Sequence, residues 1–465
     1  MTIFRTVLRW RYATSIALGC ALASFSVPTR AATGNVSATA IAFEKYQLAN
    51  GLEVILHHDD TVPLVAVNIW YHVGPVNEPP RRSGFAHLFE HLMFEGSKHV
   101  GPNFDRLLEA AGATNSNGTT SWDRTNYFET VPRPYLELVL WIESDRMGFL
   151  RDSITQERLD VQRDVVKNER RQTYENAPYG PSALILLDTV FPEGHPYHGA
   201  VIGSMQDLTA ATLEDVHAFA HAFYAPSNAT LTIAGDFDTD TTKRWVEKYF
   251  GSLRKVARPQ TKTVAPLTAP NAVRLVVAEP VQVAKVAFGW IAPPAFTPDH
   301  APLTVLATLL ADGKSSRLYR ALVVDQRIAV DVDADVDGNA LGTLVTIDAQ
   351  VASGTATESV ERALTEQLDI LAKVPPTATE VERAQKRLRL QFENEMELLN
   401  AHGGDSGRAG LLQRFNHYLG DPGGVTRWQS NVAAVTAADI SRVAAQYLGT
   451  AHRITVITEP TASKS

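Results

Sequence analysis

Only one cysteine, Cys20, occurs in the 465 residues, and it lies in an apolar run near the N-terminus. Everything after it therefore lacks a disulfide framework, a cysteine-held metal and a thiol nucleophile. A basic balance is missing too: 43 Lys and Arg stand against 51 Asp and Glu, a net charge of −8. Such a chain has no global field for nucleic acid or an anionic membrane. Glycine-rich phosphate loops and clustered basic stripes are likewise absent from the sequence. With 45% hydrophobic and 20% charged residues, a wholly disordered chain is excluded.

Acid is missing locally as well. Residues 1–32 carry Arg5, Arg9, Arg11 and Arg30 but no carboxylate, and the first acidic residue is Glu44. An uncharged apolar run of 15 residues, Ala13 to Val27, is followed by the small residues Ala31 and Ala32. Positive start, short apolar block and small-residue end are the layout of a signal peptide, and 15 residues is short for a membrane span. Residues 1–32 are thus expected to be a signal peptide, its removal leaving a periplasmic or secreted protein with no stable membrane span. Three alternatives stand beside this: a retained inner-membrane anchor, a mitochondrial transit peptide, and a lipid anchor through Cys20, since Ala17-Leu18-Gly19-Cys20 faintly resembles a lipoprotein cleavage box.

What is present is a repeat. Thr212 to Gly235 aligns without a gap with Thr436 to Glu459 at an offset of 224, pairing Asp215 with Asp439 and Phe223 with Tyr447. Each copy reads as a Thr-capped helix followed by a β-branched strand. Upstream, Asn68 to Gly96 and Ala287 to Gly313 each run from a strand through a Pro-bearing turn into a helix ending at glycine. The expected fold class is α+β, two homologous α/β domains produced by internal duplication. Their expected bounds are 36–255 and 273–465, with the Pro- and Thr-rich stretch 256–272 as linker.

Ser83 to Gly96 (SGFAHLFEHLMFEG) predicts a helix with Ser83 as a plausible N-cap. His87 and His91, four residues apart, leave one face a turn apart, as two ligands of a tetrahedral zinc would. Glu90, beside His91, can lean toward a metal-bound water, whose pKa zinc lowers toward ~7, and take its proton as general base. A catalytic zinc needs a third protein ligand. The run from Thr155 to Asn176 supplies candidates: Leu159, Val161, Val165 and Val166 mark a buried stripe, and Glu169 falls near that inward face. Glu157 and Glu175 are the alternatives.

HxxEH followed after 77 intervening residues by the glutamate of VVKNERRQTYENAPYG resembles the pitrilysin/insulinase family of zinc peptidases, the inverzincins, and within it the processing-peptidase branch. The resemblance spans nearly the whole chain after residue 32. It implies one zinc per chain on His87, His91 and Glu169, Glu90 as general base, and a zinc-dependent endopeptidase acting on peptides or small unfolded proteins. It also implies that Asn117, Gly118, Thr119 and Thr120 form an edge strand to which substrate adds by main-chain hydrogen bonds. Without it, that segment reads only as a polar strand after a turn.

Two departures from the family are visible. Many members have a glutamate seven residues before the third ligand, where this chain has Gln162, able to hydrogen-bond but uncharged. The family's metal-free half also carries an Arg and a Tyr that reach across to substrate; the matching positions here are Val323 and Val330, while Arg317, Tyr319 and Arg327 do not restore the spacing. At the offset of 217 that superposes Gly96 and Gly313, Thr304, Ala307 and Thr308 replace His87, Glu90 and His91, so the second half cannot bind metal there. The resemblance implies a clamshell of four such domains, of which this chain supplies half. The expectation is closure by dimerisation, with a sister subunit that lacks HxxEH and brings the Arg and Tyr. A homodimer, a non-catalytic scaffold subunit, a mitochondrial presequence-processing subunit and a binding module that uses zinc structurally are the rival readings. Elsewhere, His57-His58-Asp59-Asp60 reads as a solvated turn, His195 and His198 as loop-shaping residues, and Glu380 to Glu397 as an exposed helix face.

Overall fold

The computed structural model describes residues 40–461 apart from 103, 260–263, 265, 266 and 402. The expected signal peptide, Cys20 included, lies outside the described residues. Among the described residues no helix is long and apolar enough to cross a membrane.

Two mixed sheets organise the chain, each with helices packed on it. The first contains β1 (Glu44–Gln47), β2 (Glu53–His58), β3 (Leu64–Tyr71), β4 (Thr114–Thr120), β5 (Thr125–Pro132) and β6 (Ala229–Gly235), in the order β1-β2-β6-β3-β5-β4. The second contains β7 (Val273–Glu279), β8 (Lys285–Ala292), β9 (Ala329–Gly338), β10 (Thr343–Val351) and β11 (Ile454–Pro460), in the order β7-β11-β8-β10-β9. The repeat seen in the sequence is structural. The helices Leu213–Phe223 and Ala437–Tyr447 both begin with reciprocal capping boxes, Thr212 with Asp215 and Thr436 with Asp439. Each leads into a strand, β6 or β11, that pairs parallel with β2 or β7 and antiparallel with β3 or β8.

Period-two alternation places Val65, Val67, Ile69 and Tyr71 of β3 in the apolar core with the helices of the first half. The opposite face of that sheet meets the second half. Helix Gly407–Leu419 lies on it, with Gln413 donating to the carbonyls of Asn68 (2.9 Å) and Thr230 (2.7 Å). Arg408 pairs with Asp59 and Asn416 donates to Glu53 at 2.9 Å. Residues far apart in sequence thus share one polar seam.

His72 and His417 sit in that seam, stacked, with Nδ1 facing Nδ1 at 2.7 Å. One must donate and the other accept, so the contact cannot survive with both rings protonated. Burial pushes His72 down to about 3, and the cations Lys45 and Arg258 add to it; burial, His72, Arg124 and Arg258 likewise hold His417 well below its ordinary value. Glu53 is the neighbouring anion, already engaged by Lys45 and Asn416. An unfolded histidine takes up its proton near pH 6.5, which the folded pair resists, so below that pH the unfolded state binds more protons and stability falls as pH drops toward 3. We expect the thermal midpoint to fall between pH 7.5 and 5.5, by the equivalent of about 1 kcal/mol per pH unit per ring below 6.5. His417→Gln should shrink that slope; an unchanged slope in a melt series would remove the pair from the acid response.

Three local expectations need correction. Ser83 does not cap the metal helix, which spans Phe85–Leu92 after Gly84 in a left-handed conformation (φ 86°). Instead the Ser83 hydroxyl donates to Asp207, and the half-buried Glu78 carboxylate accepts from Gly84 N (3.1 Å) and Ala86 N (2.8 Å). Val161 and Val165 are exposed at 51% and 37%, so the buried stripe of helix Gln156–Arg170 is only Leu159 and Val166. His57 is buried, its Nδ1 2.7 Å from the Ala42 carbonyl, rather than part of a solvated turn.

Candidate active site

Every residue of helix Phe85–Leu92 is buried. Phe85 and Phe89 pack on Phe219 and Tyr224, which fixes one side of the helix in the core. The other side carries His87, Glu90 and His91 toward helix Gln156–Arg170 and β4. The latter helix is capped by Thr155, which accepts from Arg158 N, and is held down by Leu159 and Val166. Glu169, three residues beyond Val166, therefore arrives at the same spot.

One ligand atom each from His87, His91 and Glu169 lie within 4.8 Å of one another. His87 Nε2 is 3.8 Å from Glu169 Oε1, and His91 Nε2 is 3.2 Å from Oε2. Neither Glu169 oxygen nor His91 Nε2 makes an aligned hydrogen bond, although all are buried. Burying such atoms without partners is costly. A dication among them would satisfy all three, and two imidazoles with one carboxylate is the donor set of a catalytic zinc with a fourth position open. The residues present fit that ion.

Electrostatics agree with the geometry. Burial and the neighbouring His91 push His87 down to about 4, so it presents a neutral lone pair at neutral pH. Burial alone would lower His91 too, but Glu169, Glu90 and Gln162 outweigh it and hold its pKa up. Burial would raise Glu169, yet both histidines keep it below the usual carboxylate range. A metal held here would need His91 neutral, so its binding would compete with a proton on that ring.

Glu90 is outside the triad. Burial pushes its carboxyl up to about 7, against the pull of His91 and of the Thr120 hydroxyl, which donates to Oε2 at 2.6 Å. A carboxylate with affinity for a proton near neutrality suits proton transfer. The positive charge of a bound metal would lower that value.

The remaining expected residues fall as follows. Gln162 donates to Glu95 and lies against His91. Glu157 is exposed, and Glu175 pairs with Arg170 at 3.3 Å, so neither joins the cluster. Asn117, Gly118, Thr119 and Thr120 all lie on β4, the terminal strand of its sheet, paired among the described residues only through β5. Gly118 sits in close quarters: a Cβ there would meet the Phe94 ring at 3.0 Å and Tyr127 at 3.1 Å, so either ring would have to give by a few tenths of an ångström. In the second half, the hydroxyls of Thr304 and Thr308 turn back onto carbonyls of their own helix, His300–Ala311. Arg317 is committed to Glu380 through contacts of 2.8 to 3.0 Å, and Val330 is exposed.

Sequence reasoning did not reach Glu78 or Arg124. Buried Arg124 donates to the Thr119 carbonyl (3.1 Å) and to Asn126 (2.8 Å), and lies over the Trp70 ring. The same strands are met by a glycine turn from the second half. Gly403 O accepts from Thr119 (2.9 Å) and Asn126 (3.2 Å), and Gly404 O from Asn68 (2.7 Å) and Trp70 (3.2 Å). An acid just before a buried glycine-started helix was the one available signal for Glu78; nothing local marks the 403–404 turn.

Comparison with known proteins gives two adjoining matches. Residues 53–185 match the family model described as Insulinase (Peptidase family M16), and residues 210–388 match Peptidase M16 inactive domain. The zinc protease PqqE of Helicobacter pylori is 28% identical over 424 residues, 90% of this chain and 93% of that protein. A crystal structure of a protease from Helicobacter pylori superposes with a TM-score of 0.83 at 28% identity, covering 91% of this chain and 100% of that one. The periplasmic protease PqqL from Escherichia coli shares the fold, with a TM-score of 0.72 at 17% identity; 90% of this chain matches 48% of that one.

Proposed function

Because the chain belongs to the insulinase (M16) family of peptidases, we propose that it is a zinc-dependent endopeptidase that hydrolyses peptides or small unfolded proteins. The observation that carries this reading is the convergence of His87, His91 and Glu169 within 4.8 Å, beside a hydrogen-bonded Glu90 and an unpaired sheet edge. His87, His91 and Glu169 would hold one zinc ion. When bound, zinc supplies a Lewis acid that polarises the scissile carbonyl and acidifies water. Glu90 takes the proton from the attacking water and returns it to the departing amine. The free edge of β4, from Asn117 to Thr120, pairs with the peptide main chain, which positions the carbonyl with little regard to side chains. Gln162 holds His91 and Glu95 in place without adding charge.

The protein works outside the cytoplasm as the catalytic member of a heterodimer. Support for the partner comes from what the second half lacks: Val323 and Val330 cannot donate a hydrogen bond, and Arg317 is already taken by Glu380. A sister chain of the same form, without HxxEH, would supply the Arg and Tyr. One missing donor to a developing oxyanion costs ~10²–10³ in rate. Cleavage of a quenched peptide should therefore be abolished by chelation, restored by zinc, and rise ~10²-fold on mixing with that sister chain. Full activity from the isolated chain would defeat the heterodimer, and activity indifferent to chelation would defeat the zinc reading.

A further inference from the structure

We infer that Thr120 is a positioning residue whose side-chain hydroxyl aims the Glu90 carboxylate, so that one residue serves the substrate strand with its backbone and the base with its side chain. This rests on reading Glu90 as the general base. Period-two alternation sends Gly118 and Thr120 to the face of β4 that meets helix Phe85–Leu92, and Thr119 to the face that meets Gly403. Thr120 Oγ1 lies 2.6 Å from Glu90 Oε2 and 3.4 Å from Thr125 Oγ1.

The direction of the proton follows from the neighbours. Thr125 spends its single hydrogen on the Val73 carbonyl at 2.9 Å, and an ionised carboxylate only accepts. Thr120 must therefore donate to Glu90. Oε2 is thereby engaged, and Oε1, to which no described residue donates, is left to face the reacting proton. A carboxylate turns freely about its terminal torsion unless something pins it; here a short bond to the half-buried Thr120 hydroxyl does so.

Thr120 is itself held from behind. The preceding carbonyl, of Thr119, accepts from Arg124 at 3.1 Å, and the Thr119 hydroxyl donates to Gly403 O at 2.9 Å. The strand's position, and through it the aim of the base, is thus set partly by the metal-free half. A peptide pairing along β4 would press on the same strand that orients the base.

The test is a cycle of Thr120→Val with Glu90→Gln, read as kcat and KM on a quenched peptide with zinc content and thermal midpoint measured for each protein. Thr120→Val keeps the shape and removes the donor. It should lower kcat about ten- to a hundredfold while KM and zinc stay near those of the parent. Thr120→Ser should restore most of the rate. In the Glu90→Gln background, Thr120→Val should cost little more, because the group it aims is already gone. Unchanged kcat in Thr120→Val, or an equal loss in both backgrounds, overturns the proposal. If Thr120→Val unfolds, Thr120→Ala and Thr120→Ser carry the same comparison. A Glu90→Gln protein with full activity sinks the general-base reading itself, which is a separate outcome from a silent Thr120.

Discussion

Glu90→Gln should fold, bind zinc in full and turn over peptide ~10²–10⁴-fold more slowly than the parent. Glutamine has the size of glutamate and can still accept from the Thr120 hydroxyl through its amide oxygen, so the local packing and the 2.6 Å contact have no reason to collapse. Glutamine cannot take a proton at neutral pH. The loss therefore falls on kcat, with KM for a peptide held on β4 little changed. Zinc by elemental analysis and rate by quenched-peptide cleavage check the two halves of the expectation. Unimpaired turnover with zinc bound would remove Glu90 from the chemistry.

Glu169→Gln should fail differently, losing metal and activity together. The carboxylate converges on two imidazoles, and its charge holds them there; both histidines in turn keep it ionised. An amide supplies an oxygen but no charge. Deleting a partner behind the ligands typically costs 10–100-fold in metal affinity, and changing a ligand costs more. Equilibrium dialysis against zinc should show affinity reduced by more than ~10²-fold, and added zinc should recover only part of the rate. Stoichiometric zinc in Glu169→Gln would mean that another group completes the site.

The two outcomes differ because the two glutamates reach the site by different routes, and sequence reads these routes unequally. His87, Glu90 and His91 lie on one helix, where spacing alone dictates a common face, so their grouping was legible. Glu169 was legible as the residue that follows Val166 at helical spacing. The same pattern failed at Val161 and Val165, which the apolar count placed inside but which lie exposed on the other side of the helix. A helix carrying few apolar positions gives its stripe an uncertain edge. Ser83 failed as a cap because a tertiary partner, Glu78, took the role that a local side chain usually fills. The duplicated helix–strand pair was legible because capping boxes are local. The seam between the halves was not, since contacts such as Gln413 with Asn68 join segments that no periodicity connects.

That seam has a kinetic side. The first sheet has all its strands once β6 ends at Gly235, but the helix that covers its far face begins only at Gly407. At ~5–20 residues per second, synthesis leaves that face bare for roughly ten to thirty seconds. A broad sheet of large apolar side chains exposed for so long would invite association with neighbouring chains. Along β3 and β6 the waiting surface instead carries Asn68, Thr230 and Thr232 with the small Ala66 and Ala234, beside the large ring of Trp70, whose indole N–H later donates to Gly404 O. Water can satisfy those groups until Gln413, Asn416 and the glycine turn arrive to replace it. A polar seam costs some adhesion in the finished protein and lets an early half wait, still soluble, for a late one.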